Sequence, residues 1–351
     1  MKLRDFIIRR ILLAIPVIFG VVTITWFLAY IVGDPVAMFV TERTPDSAVP
    51  GIRLRYGLDE PLYVQYFIYL RNLLQGDWGR SYSEAQDAPV LTVIAQKFPA
   101  TIELAMIAMV FAVILGIPLG ILSATKKDRP VDHVTRVFSL AGVSMPIFWF
   151  GLMLKYVFFY QFCISGLPYL PGDSRFDPNV WRVMLGNNEG YVPITNFLLL
   201  DSLLYLSPAC FVDALRHLIL PGFCLGYLTL AIITRMMRSS MLEVLKEDYI
   251  TLARSKGLKE RTVIYKHALR NALIPTVTVV GLAFGGLMSG AVLTETIYSW
   301  PGLGRWATRA ILQSDLAAIN GFTLLVAFIF VTANLLVDLL YGTLDPRIRF
   351  G

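Results

Sequence analysis

Three ionisable side chains, Glu103, Lys155 and Asp338, fall inside strongly apolar stretches of this 351-residue chain. A charge at membrane depth is expensive, so it marks an ion or proton path by default. A relay needs several such groups in succession, and these stand apart. Glu103 and Asp338 lie near the ends of their stretches, within reach of interfacial water, and the long stem of Lys155 can carry its ammonium outward. His133, His217 and His267 sit in loops or at the edges of apolar runs, which gives no basis for a histidine switch. Cys163, Cys210 and Cys224 show neither CxxC nor metal-ligand spacing and read as buried free thiols. The phosphate-cradling GxxxxGK[ST], HExxH and GxSxG patterns are absent. No catalytic residue, metal or cofactor is expected, and any ATP-driven work has to come from another polypeptide.

The chemistry that remains is non-covalent, and it concentrates in residues 235–272, which carry nine Lys and Arg. Within "SSMLEVLKEDYITLARSKG", helical spacing puts Leu242, Leu245, Tyr249, Leu252 and Ala253 on one face, with charges around the rest. Ser240 and Glu243 stand at capping-box spacing, and Gly257 is placed to end the helix. "LKERTVIYKHALRNA" then resumes helical character and runs into Pro275. Two short helices meeting at a glycine are predicted. A basic surface of this kind can hold anionic lipid, and an apolar stripe beside a rigid break can equally receive a shaped protein partner. Both remain open on the residues alone.

The elements that position this loop follow from composition. Hydrophobic residues make up 56% of the chain and charged ones 16%, against about 25% charged in soluble domains. Six apolar runs approach the ~20 residues needed to cross a bilayer core: Ile11–Val32, Thr101–Ser123, Val137–Phe162, Leu218–Met237, Ile274–Leu293 and Gly321–Tyr341. Uninterrupted runs of this length mean helices, so the expected fold is an all-α polytopic membrane protein. "FLLLDSLLYLS" at 197–207 is too short to span and carries Asp201, so it reads as interfacial or packed in a loop. "MKLRDFIIRR" has the basic start of a signal peptide, but the run behind it is long and no small-residue cleavage site follows, which predicts a retained first helix.

Charge sets the orientation. The N-terminus, 124–136, 235–272 and the tail together hold 19 Lys and Arg, while 33–98, 163–217 and 295–317 hold 11 over far more residues. With acids included the first set nets +11 and the second −4. Both termini and the 235–272 loop are therefore expected in the cytoplasm, and the formal charge of +6 is a sidedness signal rather than a sign of nucleic acid.

Outside the runs, "LDEPLYVQYFIYLRNLLQGDWG" places Leu62, Tyr63, Tyr66, Phe67, Leu70, Leu73 and Leu74 on one face, with Asp59 as cap. This predicts an amphipathic helix on the outer surface or against the bundle, serving to orient the first span or to contact arriving substrate. The 163–217 stretch, rich in Pro, Gly, Asn and Asp, reads as an irregular external loop. No internal repeat or low-complexity tract is present. Pro16, Pro118, Pro146, Pro221 and Pro275 predict bent spans. In "GLAFGGLMSG", Gly281, Gly285 and Ser289 share one row at i+4 and Gly286 and Gly290 another. Such rows either seat a neighbouring helix closely or line a path at a subunit interface.

Taken together, "EDYITLARSKGL", "HALRNALIP", "SWPGLGR" at 299–305 and "LDPRIR" at 344–349 resemble ATP-binding-cassette importer permeases of the dipeptide, oligopeptide and nickel branch. "GLDEPLYVQY", "GDWGRS" and "PATIEL" carry the resemblance into the first third. The general loop motif of these permeases (Glu-Ala-Ala, three residues, Gly, nine residues, Ile-x-Leu-Pro) is matched by Ala253, Gly257 and Leu269. Thr251 replaces the Glu, Leu252 the first Ala and Arg270 the Pro, with a proline later at Pro275. The resemblance implies a type I importer fold with six membrane helices. Residues 1–98 would form a first helix plus an external segment, 99–341 the permease domain with its coupling loop at 235–273, and 342–351 a cytoplasmic tail. It implies a second homologous permease, two cytoplasmic ATPases and an extracytoplasmic solute-binding protein as partners, besides membrane lipid. Glu247, Asp248, Tyr249, Thr251, Ala253, Arg254, Lys256 and Gly257 would form the coupling element, while Gly281, Gly285, Gly286, Ser289 and Gly290 are candidates for the path between the permeases. Peptides are the expected cargo, with nickel complexes or oligosaccharides as alternatives and an ion-coupled secondary transporter as a different class.

Overall fold

Inside hydrocarbon every backbone polar group has to be paired within its own segment, and the apolar runs accordingly form helices throughout. The computed structural model describes residues 3–33, 35–40, 44–83, 88–185 and 191–344; within these, the side chains of 3–7, 32, 37, 184, 185, 289, 290 and 336–344 lie outside the description. The first span is α1 (Leu3–Phe27), which ends in a π-helical turn at Leu28–Val32. Two surface helices follow, α2 (Val49–Tyr56) and α3 (Leu62–Leu74), then a short antiparallel pair, β1 (Arg80–Ser81) and β2 (Ala88–Pro89). Next come α4 (Val90–Thr125), α5 (Pro130–Ser144) and α6 (Ile147–Lys155), the last passing through a π turn into α7 (Phe162–Ile164). The 163–217 loop holds α8 (Pro178–Leu185) and α9 (Leu198–Leu204) ahead of α10 (Pro208–Val244). After α11 (Asp248–Ser255), the short α12 (Glu260–Thr262) leads by a π turn into α13 (Leu269–Ile297), followed by α14 (Leu303–Leu312) and α15 (Leu316–Leu344). Among the described residues six helical segments are long and apolar enough to span: Ile8–Ile31, Val90–Thr125, Ile147–Ile164, Pro208–Val244, Glu260–Met288 and Leu316–Leu335.

The 37-residue α10 is about 55 Å long at 1.5 Å per residue and forms the axis of the bundle, against which α4, α5, α6, α9 and α13 all pack. Its approach to α4 is backbone to backbone. A Cβ placed at Gly226 would stand 2.5 Å from the carbonyl oxygen of Ala108, and one at Gly120 would stand 2.6 Å from the Cβ of Met237. Gly116 meets Ile233 and Gly222 meets Ile107 in the same way. Gly142 brings α5 onto Ala231 and Tyr227 of α10, and the Tyr227 hydroxyl donates to the Phe138 carbonyl (2.9 Å).

Four sequence expectations need correction here. The run Val137–Phe162 is two helices, because Pro146 drives Met145 into extended backbone (ψ 132°) and ends α5 at Ser144; Pro16, Pro118, Pro221 and Pro275 do lie inside helices. Asp59 pairs with Arg53 (3.1 Å) and α3 begins at Pro61 without a side-chain cap. In α3 it is Tyr66, Tyr69, Leu70 and Leu73 that pack inward, with Tyr66 on Thr23 and Trp26 of α1, whereas Leu62, Tyr63, Phe67 and Leu74 are exposed. Cys210 and Cys224 are buried thiols, but Cys163 is exposed.

Carboxylates fasten the loops. On one side, Glu103 accepts from Arg175 (Nη2 2.5 Å, Nε 3.1 Å) and from the Leu199 amide, and Arg175 lies over the Trp300 ring. Lys155 donates to Asp173 (2.6 Å) and to the Ile297 carbonyl. Glu103 and Lys155 are thus joined to the 163–217 loop rather than to each other, and the Asp338 side chain lies outside the described residues. Asp201 in α9 accepts from Tyr191, Ile194 and Thr195. Asp315 gathers the β1 segment through Ser81, Tyr82 and Ser83, and Glu295 takes Thr101 and the Arg305 amide. At the opposite end of the spans, buried Asp132 of α5 receives Arg238 of α10 in bidentate fashion (2.8 and 2.9 Å), Ser123 of α4 and the Asp128 amide.

Two outcomes follow from this packing. Gly226→Val forces a branched side chain against backbone, which costs about 1–3 kcal/mol or more; its melting temperature in detergent should drop well below that of Gly286→Ala, where an added Cβ meets no heavy atom within 4 Å. Equal losses would remove the α4–α10 seam as the critical contact. The second concerns Asp132, whose carboxyl the Arg238 guanidinium holds well below the usual aspartate range, more than offsetting the effect of burial. Because the folded value is the lower one, its stabilisation is present above about pH 4 and is lost as pH falls through the folded value. Asp132→Asn should therefore melt lower than wild type at pH 7, with the gap closing in acid; a gap independent of pH would contradict the assignment.

Candidate functional site

The loop between α10 and α13 is built on the ends of those two helices. α10 runs on through Ser240 to Val244, so Ser240 and Glu243 lie inside its last turns and do not cap a new helix. The reason is tertiary: Met237 and Met241 continue the buried stripe past the point where capping spacing alone would start a helix. A tight turn then closes with Lys246 N–H on the Glu243 carbonyl and Glu247 N–H on that of Val244, and α11 starts behind extended Glu247.

Restarting the helix resets its phase. Ile250 and Ala253 point inward, packed with Met237, Met241, Val263, Ala268 and Ala272. Tyr249 and Leu252, expected on the same face as Ala253, point outward and are 38% and 56% exposed; Leu242 and Leu245 sit at the edge of the core, partly buried. Ile250 escaped the sequence reading because it is in phase only with a helix that begins at Asp248. Of the predicted coupling residues, Glu247, Asp248, Tyr249, Thr251, Arg254, Lys256 and Gly257 are exposed and Ala253 is buried.

The corner itself is as predicted. Gly257 adopts φ +74°, the Leu258 amide reaches back to the Ala253 carbonyl and the Gly257 amide to that of Arg254, which together form a Schellman closure. Arg254 bridges the corner to Glu260 (2.7 and 3.2 Å), and the Tyr249 hydroxyl accepts from Asn271 at the base of α13 (2.7 Å). From Glu260 the chain is helical through to Ile297. The result is a short helix whose inner side is locked to two spans and whose outer side presents one aromatic and one leucine among charges. This arrangement offers a convex, shaped contact and no cluster of groups for bond making.

The small-residue row of α13 is less uniform. Gly285 is buried, and a Cβ added there would stand at ordinary contact distance from Ala333 and Phe330 of α15 (3.4 and 3.5 Å), while one at Gly286 would meet no heavy atom within 4 Å. Gly281 is half-buried; Ser289 and Gly290 lie in the helix, with side chains outside the description. The backbone-close seam of the bundle is elsewhere, at Gly116, Gly120, Gly222 and Gly226. Those glycines are spaced four apart on facing helices, a signal present in the sequence but not singled out there.

Comparison with known proteins agrees with this architecture. The family model "Binding-protein-dependent transport system inner membrane component" matches residues 116–350, and its N-terminal companion matches residues 3–105. The chain is 46% identical, over 98% of both chains, to the di/tripeptide transport system permease protein DppB of Pseudomonas aeruginosa. It is 43% identical over 98% of both to the dipeptide transport system permease protein DppB of Escherichia coli. With the oligopeptide transport system permease protein AppB of Bacillus subtilis it shares 34% over 98% of this chain. A chain of six candidate spans matched almost from end to end in this way belongs to the binding-protein-dependent transport system inner membrane components, multi-pass permeases of ATP-binding-cassette importers.

Proposed function

We propose that this permease carries peptides of the dipeptide and oligopeptide class across the inner membrane, in a path enclosed with a second, similar permease. The names of its relatives support that cargo. Nickel complexes and oligosaccharides remain the alternative cargo for the same machinery. Separate ATPase subunits hydrolyse ATP on the cytoplasmic side, and an extracytoplasmic binding protein delivers substrate from the other. The charge count puts the N-terminus, the α4–α5 turn, the α10–α13 loop and the tail in the cytoplasm. Residues 1–98 form the first span with its external segment, 99–341 the permease domain and 342–351 the tail.

The observation that carries the reading is α11: inner face locked by Ile250 and Ala253, outer face offering Tyr249 and Leu252, and far end fixed at Gly257. A push on such an element is transmitted to α10 and α13 together, as rocking of the spans requires. Glu247, Asp248, Thr251, Arg254 and Lys256 form the polar rim of the contact. Gly281, Gly285, Gly286, Ser289 and Gly290 are the α13 residues we assign to the border of the path, Gly285 through its packing against α15. An ion-coupled carrier is disfavoured, since Glu103 and Lys155 are both held in ion pairs with loop residues.

Two substitutions test the assignment. Leu252→Asp puts a charge on the exposed apolar contact without touching the inner core; membrane levels should stay normal while co-purification of ATPase subunits drops at least tenfold. In Gly257→Val the added Cβ meets no heavy atom within 4 Å, but an L side chain strains the left-handed corner by about 1–2 kcal/mol. Peptide uptake into cells should fall with insertion unchanged. Wild-type uptake in both variants would remove the coupling role.

A further inference from the structure

The turn between α4 and α5 carries charge that the fold leaves uncompensated. Its cations are Lys126, Lys127, Arg129 and Arg136, and its acids are Asp128 and Asp132. Both oxygens of Asp132 are occupied by Arg238 from α10, with Ser123 and the Asp128 amide filling the remaining positions. Arg136 comes no nearer than 3.8 Å to Asp132 and donates instead to His133 Nδ1 (2.6 Å). Lys127 has only the exposed Asp128, at 3.8 Å. Lys126 and Arg129 make no ion pair among the described residues, and all four cations are exposed. One half-buried arginine from another helix thus removes the acid that would have balanced this turn.

The same face of α5 changes character along its length. At 100° per residue, Arg129, His133 and Arg136 share a side with Val137, Leu140 and Val143. Val137 and Leu140 are 67% and 61% exposed, whereas Asp132, Thr135, Ser139 and Gly142 on the other side are buried against the bundle. Cations in the first two turns are followed directly by bare hydrocarbon in the next two. A soluble protein surface would answer the first half and leave the second in water. A molecule with an anionic head and apolar tails answers both.

We propose that the α4–α5 turn and this face of α5 bind an anionic phospholipid. The phosphate sits among Lys126, Arg129 and Arg136, and the acyl chains lie along Val137, Leu140 and Val143. The site is separate from α11 and does not depend on the docking role given to that helix. Because Asp132 and Arg238 join α4, α5 and α10 beneath it, a bound headgroup would brace the end of the bundle from which α11 projects.

The test uses the full-length chain purified from membranes with whatever subunits accompany it, washed in detergent and then offered phosphatidylglycerol or phosphatidylcholine. Native mass spectrometry counts the lipid retained. Wild type is expected to keep phosphatidylglycerol over phosphatidylcholine, and Lys126→Gln/Arg129→Gln/Arg136→Gln to lose that preference about tenfold. Arg71→Gln/Arg80→Gln, at the other end of the spans, should keep it. Leu140→Asn leaves every cation in place and should weaken retention of long-chain but not of dihexanoyl phosphatidylglycerol. Equal retention by wild type and the triple variant would overturn the proposal. So would displacement of the lipid by millimolar inorganic phosphate, which would make the site one for free phosphate. Loss of an accompanying polypeptide from the triple variant, with lipid retention intact, would assign the face to a protein and overturn it as well.

Discussion

The bundle depends on the approach of α4 to α10. Lipid tails are as apolar as leucine, so burial alone gives two membrane helices little reason to associate; close packing has to supply it. Gly116 and Gly120 on α4, and Gly222 and Gly226 on α10, remove side chains where the two backbones meet, down to a separation that a single methyl at Gly226 would violate. This seam sets the distance between the two longest helices, 36 and 37 residues. Everything else is positioned against the pair: α5 through Gly142 and Tyr227, α6 through Gly151 on Cys224, and α13 along the flank that leads to α11.

The buried charges make sense in that frame. Glu103, Asp201 and Asp315 reach into connecting segments, whereas Glu295 reaches Thr101 of α4 and Asp132 reaches Arg238 of α10. Glu103 with Arg175, Asp201 with the 191–195 turn, Asp315 with Ser81–Ser83 and Glu295 with Thr101 fasten one end, and Asp132 with Arg238 fastens the other. A buried ion pair is a poor source of net stability but a strong constraint on geometry, because separating the partners leaves a charge unpaired. Such groups suit a bundle that has to move as a few rigid pieces. They are unsuited to passing ions along, because their partners hold them in place.

Much of this could be read in the sequence, and the failures have physical causes. The spans were legible because hydrocarbon imposes length and composition directly. Gly257 was legible because a left-handed corner favours glycine on local grounds alone. The break at Pro146 was mistaken for a bend, since hydropathy runs straight across it. The phase of α11 is not legible locally, because tertiary packing carries α10 past Ser240 to Val244, and a helix that restarts at Asp248 turns a different face inward. The roles of Glu103 and Asp132 were out of reach: their partners, Arg175 and Arg238, lie 72 and 106 residues away. The glycine row that stood out, in α13, is consecutive and conspicuous, whereas the rows that seat the bundle are split between two helices and gain meaning only once those helices are paired.

The same logic explains why the proposed docking element can be so short. An isolated eight-residue helix is unstable in water, and α11 has no side-chain cap. Its stability comes from Ile250 and Ala253, which sit in the angle between α10 and α13, and from a corner whose backbone closes on itself. Its outward residues add only exposed contacts, Tyr249 with Asn271 and Arg254 with Glu260, so most of that surface, Leu252 included, is left for a partner. Because its inward residues touch both flanking helices, a displacement at the outer surface cannot be absorbed locally. It passes to α10, and from α10 through the glycine seam to α4, so that the contact distance which builds the bundle is also the route by which a push on the loop reaches the spans.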